Sequence, residues 1–97
     1  MNQKSKEPIV ADKVLRSQVA MTMLRVLIHR DMPLPVSRIA KEIGSNYATV
    51  GKYIKLLKEA DLVVPVEYGE RTLYKANETN ERVQALKGFL QAWSETH

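Results

Sequence analysis

Apolar residues recur at helical spacing over residues 14–30, with Val19, Met23, Val26 and Leu27 on one side and Ala20, Met21, Leu24 and Ile28 continuing around it. Only Gln18, Thr22, Arg25 and His29, spaced i, i+4, i+7 and i+11, form a clean polar strip. A helix so broadly apolar predicts burial on two sides, against its own core and against a second subunit. Residues 31–35, Asp-Met-Pro-Leu-Pro, stop it, because Pro33 disfavours helix at Met32 while Pro35 suits the first turn of the next helix. That second helix is expected over 35–43, with Val36, Ile39, Ala40 and Ile43 inward and Gly44 closing it. Ser45 or Asn46 can cap a third helix over 47–60, whose buried stripe is Val50, Ile54 and Leu57. Residues 62–66 then read as a strand, with Pro65 arguing for an edge or a bulge. A polar loop over 67–71 and a returning strand over 72–75 complete a hairpin. After a break rich in capping residues at 77–80, a last helix is expected over 81–95. Residues 1–8 are polar and aperiodic and read as a mobile arm, leaving one domain over 9–97.

The last helix carries Val83, Leu86, Leu90 and Trp93 at +3, +4, +3 spacing, a seam of the coiled-coil type bordered by Phe89. Ala85, Gly88 and Ala92 add a second face of small residues, and only Gln84, Lys87, Gln91 and Ser94 make a polar stripe. So wide an apolar arc predicts that this helix pairs with its symmetry mate, assisted by Val19 and Met23 of the first helix. The alternative is that it folds back onto its own domain.

Composition narrows the class. A chain of 97 residues has room for one domain, and a monomer of this length buries only about 60–65% of its unfolded surface, which favours self-association. Apolar residues at 44% and charged residues at 27% suit a folded chain. No run approaches the roughly 18 apolar residues of a membrane span, and the first residues lack the apolar core of a signal peptide, so a soluble, cytoplasmic protein is expected. With no cysteine and only His29 and His97, neither a metal site nor a cofactor is expected, and His29 on the polar strip reads as an ordinary surface histidine. No Ser/His/Asp, Cys/His, metal-ligand or glycine-rich phosphate constellation is present, so no enzyme is expected. The net charge of +4 has its excess before residue 76, a bias that fits a nucleic-acid binder but is shared by many ordinary proteins.

Two short helices joined by a glycine-containing turn and followed by a hairpin are the order of a winged helix-turn-helix, a mainly α fold with a small β-hairpin wing (α+β). The residues Val36-Ser37-Arg38-Ile39-Ala40, Gly44, Thr49-Val50-Gly51-Lys52-Tyr53-Ile54 and Leu57-Lys58-Glu59-Ala60-Asp61-Leu62-Val63 extend the match. This stretch resembles the arsenical-repressor (ArsR) and MarR-type regulators. Their usual pattern is a Val-Ser-x-Leu-Ala helix, Gly, a Thr-Val-Ser-x-His-Leu recognition helix and a Leu-x-x-Ala-Gly-Leu-Val exit. The resemblance covers about residues 14–77 and implies a DNA-binding scaffold with N- and C-terminal dimerisation helices. Three departures stand out. Asp61 replaces the usual glycine, Gly51 sits mid-helix where serine is common, and the cysteine cluster and His/Asp pairs of metal-sensing members have no counterpart.

With Val50, Ile54 and Leu57 inward, the 100° helical rotation leaves Tyr47, Ala48, Gly51, Lys52 and Lys55 outward. A helix in the major groove reads bases from its N-terminal turns, which makes Tyr47, Ala48, Thr49 and Lys52 the base-contact candidates. Asn46 in the preceding turn joins them. Lys55, Ser37 and Arg38 are placed for phosphates. In the wing, Arg71 is the minor-groove candidate and Tyr68 a phosphate or sugar contact, with Glu67 and Glu70 flanking Arg71 and weakening the wing's attraction. Against these stand blander readings: Tyr53 as core packing, and Lys52, Lys55 and Lys58 as a solvated helix face. A dimer would set two recognition helices one DNA turn apart and favour a palindrome on double-stranded DNA. The expected function is a transcriptional regulator, most simply a repressor. The alternatives are a DNA-coating architectural or partition protein, and a protein-interaction winged helix that does not touch DNA.

Overall fold

The computed structural model describes residues 13, 14 and 16–96. The arm expected over residues 1–8 lies outside them. The described chain forms α1 (Gln18–Arg30), α2 (Val36–Ile43), α3 (Tyr47–Glu59), β1 (Val63–Tyr68), β2 (Arg71–Ala76) and α4 (Glu81–Thr96). This is the expected mainly α winged helix.

The helix expected over 14–30 is interrupted near its start, residues 13, 14 and 16 being helical and Ser17 not. Ser17 is extended, at φ −95° and ψ 117°, and its Oγ accepts from the Ala20 N–H at 3.1 Å, so it caps α1 and breaks the apolar pattern that runs through from Val14. At the other end Asp31 adopts left-handed backbone and donates to the Leu27 carbonyl. Leu34 then exchanges two backbone hydrogen bonds with Tyr74, at 2.9 and 2.8 Å, adding a one-residue bridge to the edge of β2.

Both helices of the helix-turn-helix end in the same way. Gly44, at φ 70°, donates to Lys41, and the next N–H, from Ser45, reaches back to Ala40. After α3, Asp61 takes φ 61° and donates to Lys58, while Leu62 donates to Leu57. Each is a 5→2 and 6→1 pair that satisfies carbonyls the helix leaves open. The aspartate therefore does the work of the glycine in the pattern this stretch resembles, as its tolerance of left-handed backbone allows. Asn46, not Ser45, caps α3: its Oδ1 accepts from the Thr49 N–H at 2.8 Å.

The hairpin is antiparallel, in register from Val63 opposite Ala76 to Tyr68 opposite Arg71. Its strands run further than the expected five-residue loop permits, because Gly69 at φ 63° lets the chain reverse in two residues, Gly69 and Glu70. Pro65 sits on β1, the strand with a free edge, where its missing N–H is harmless.

Val50, Ile54 and Leu57 are buried, and with Leu24, Leu27, Leu34, Ile39, Leu62 and Val63 they form one core. Met23 and Val83, both expected between subunits, are 0% and 1% exposed in the single chain and belong to that core. Asn77 and Asn80, also buried, both donate through Nδ2 to the Asp61 carbonyl, at 2.9 and 3.0 Å. Asn80 Oδ1 in turn accepts from the N–H groups of Arg82 and Val83, so one polar knot ties the end of α3 to the start of α4. Beyond Leu86, which is half-buried against the core, α4 stands away from it.

Candidate nucleic-acid interface

The stripe of α3 that faces the core fixes what its other side offers. Tyr47 is 68% exposed, and Ala48, Lys52 and Lys55 are exposed with it, while Thr49 and Gly51 are half-buried. Lys52 Nζ lies 5.5 Å from the ring centroid of Tyr53, a cation–π distance, and Tyr53 is itself half-buried against the core. The packing reading of Tyr53 therefore holds. Asn46 is exposed, but its oxygen is engaged by the Thr49 N–H, so its first role is to shape the turn that presents Tyr47.

Residues distant in sequence converge beside this helix. Ser37 at the start of α2, Tyr47 at the start of α3 and Arg71 on the wing line one open concavity of about 430 Å³, with Glu70, Thr72 and Tyr74 on its wing side. The helix α2 begins after Pro35, which offers no side-chain cap. Tyr68 and Arg71 are directly opposed at the wing's end, so their side chains share one face. The next pair, Glu67 and Thr72, projects from the opposite face, where the Thr72 hydroxyl donates to the Glu67 carboxylate at 3.1 Å. Glu67 thus stands away from Arg71 instead of flanking it. Glu70, in the turn, remains beside it.

One charged residue at this end was not singled out from sequence. Glu42 accepts from Arg38 Nε at 3.3 Å and from Arg30, whose Nε lies at 3.3 Å and whose Nη2 bonds the other carboxylate oxygen. The Arg30 hydrogen bond, with that of Arg38 behind it, holds the Glu42 carboxyl below its ordinary value of 4.5. The i, i+4 spacing of Arg38 and Glu42 is readable in the chain, whereas Arg30, 12 residues before Glu42, is brought there only by the packing of α1 on α2.

The remaining residues expected between subunits divide. Val19 and Leu86 are partly buried against the core. Leu90 and Trp93 line an open groove of about 610 Å³ between α1 and α4, together with Ile28, Arg25, His29 and Lys87. Phe89 and Trp93 are 60% and 58% exposed, with ring centroids 6.0 Å apart. Among the described residues no group of three or more histidines and carboxylates is arranged to hold a metal, and no helix is long and apolar enough to cross a membrane.

No family model matches the chain, and no curated protein matches it in sequence. Solved structures do match in fold. A homodimeric winged helix-turn-helix DNA-binding domain from Mycobacterium bovis, a possible ArsR-family transcriptional regulator, is 23% identical with a TM-score of 0.72, over 100% of this chain and 93% of that one. HlyU from Vibrio cholerae is 16% identical with a TM-score of 0.73, over 90% of each chain. An ArsR-like transcriptional regulator from Rhodococcus is 20% identical with a TM-score of 0.68, over 93% of this chain and 83% of that one. At these identities the likeness is one of fold, and over nearly its whole length the chain has the winged helix-turn-helix fold of ArsR-type transcriptional regulators.

Proposed function

We propose that the protein binds double-stranded DNA as a homodimer and regulates transcription, most simply as a cytoplasmic repressor that occludes a palindromic site and has no catalysis of its own. The observation that carries this reading is the convergence of Ser37, Tyr47 and Arg71 on one concave surface, next to the exposed Lys52 and Lys55 of α3. A duplex whose major groove receives the first turns of α3 would run its backbone past the start of α2 and the end of the wing. There Ser37, Arg38 and Tyr68 meet phosphate or sugar and Arg71 enters the minor groove, while Tyr47, Ala48, Thr49 and Lys52 face base edges. The exposed Phe89 and Trp93 support self-association through α4. The fold shared with a homodimeric DNA-binding domain adds to that support.

Titration of a labelled duplex over a salt series tests the reading. Wild-type affinity is expected to fall steeply with salt, since each neutralised phosphate contributes a slope of about −0.9 in log K against log salt. Lys52→Ala and Arg71→Ala are each expected to weaken binding by roughly 5- to 150-fold, the range of about 1–3 kcal/mol for a specific contact, with unchanged circular dichroism. Wild-type affinity in both variants would refute the docking. Weak, salt-insensitive binding by the wild type would favour a protein-interaction winged helix.

A further inference from the structure

The two arginines that meet at Glu42 are held in different ways. Arg30, the last residue of α1, is gripped along one edge, its Nε and Nη2 each bonded to a carboxylate oxygen. Arg38, in the first turn of α2, is touched at Nε alone, and its two terminal nitrogens make no hydrogen bond among the described residues. Its side chain is 52% exposed, against 38% for Arg30 and 21% for Glu42. One carboxylate therefore neutralises one cation and steadies the other with its outer edge free. A guanidinium whose inner edge is occupied by a carboxylate can meet a phosphate through its terminal nitrogens in one orientation only.

We propose that Glu42 is a positioning residue for DNA binding: it withholds Arg30 from the duplex and aims the outer edge of Arg38 at a single phosphate, so that it governs discrimination between sites more than total attraction. This rests on the DNA-binding reading above. Without the carboxylate, two long cationic side chains swing freely at the end of α1 and the start of α2. Arg30 then adds sequence-independent attraction, while Arg38, which already meets a phosphate, only loses its fixed aim, so binding strengthens everywhere and the margin between a chosen site and bulk DNA narrows.

The test uses the full chain and a random-sequence duplex, with binding measured between 50 and 200 mM salt for the wild type, Glu42→Gln, Arg30→Met and the double variant. Glutamine retains the shape and one acceptor of Glu42 while removing its charge. In Glu42→Gln the loss of affinity across that range is expected to grow by about 3.5-fold, the effect of one added phosphate contact. Arg30→Met is expected to match the wild type. The double variant is expected to return to it, since Arg30 is the cation released. An unchanged or shallower slope in Glu42→Gln overturns the proposal, as does a double variant as steep as Glu42→Gln alone. Wild-type protein with no salt-dependent binding overturns the DNA-binding reading itself, and this proposal with it.

Discussion

Glu42 shows how the charge of one residue depends on neighbours from two elements. Its folded carboxyl is depressed, chiefly by the hydrogen bond from Arg30 and then by that from Arg38. A group whose folded pKa lies below its unfolded one stabilises the native state fully above the unfolded value, near 4.5, and loses that contribution as pH falls through the folded one. The melting temperature of the wild type is therefore expected to drop more than that of Glu42→Gln as pH is lowered from about 5 to about 3. Equal acid sensitivity in thermal unfolding would show that the cluster contributes nothing, as many exposed pairs do. Lys75 and Glu78, 3.0 Å apart, act at opposite ends of the scale. The hydrogen bond from Lys75 lowers Glu78 and that to Glu78 raises Lys75, so the pair is lost both in acid and as pH rises through the lysine's folded value. Pairings of this kind are only half legible. Arg38 with Glu42 follows from helix periodicity, but the grip on Arg30 and the turning of Glu67 away from Arg71 depend on interhelix packing and strand register.

The elements themselves were largely written in the apolar spacing. The stripe Val50, Ile54, Leu57 placed α3 correctly, and Gly44 marked the end of α2. The departures have local causes. Ser17 caps instead of continuing a helix, and Gly69 reverses the chain in two residues where composition suggested a loop of five. A hydrophobic pattern reports which side is buried, not which polar group captures a free N–H. Gly51 is the element-scale question that remains for DNA. A Cβ built there meets no atom within 4 Å, so nothing among the described residues requires a bare backbone in the middle of α3. Gly51→Ala is expected to stabilise the protein by about 0.8–1 kcal/mol through helix propensity, measured by denaturant unfolding. If the glycine admits DNA closely, the same variant binds duplex more weakly despite being more stable. Unchanged affinity would reject that role.

At the scale of the whole molecule, α4 is anchored in the core by its first turns and borders an open groove with its last. Val83 enters the core and Asn80 fixes the helix start, after which Phe89 and Trp93 project into solvent above the groove beside α1. Burying two such aromatics is worth several kcal/mol to an interface and nothing to an isolated chain. Trp93→Ala is expected to weaken self-association by at least about tenfold, seen as a shift towards monomer in sedimentation equilibrium, with the fold retained. An unchanged assembly would exclude this end of α4 from the contact.

By itself the sequence determined the order of the elements, the inward stripe of α3 and hence its outward residues, since helical and strand periodicities are local and one residue's burial predicts its neighbours'. Only the tertiary structure decided which apolar residues serve the chain's own core, as with Met23 and Val83, and which stay exposed on the single chain, as with Phe89 and Trp93. It alone brought Arg30 to Glu42 and gathered Ser37, Tyr47 and Arg71 around one surface. Contacts between residues far apart in sequence are set by how helices cross and where a hairpin folds back, and no local pattern records either.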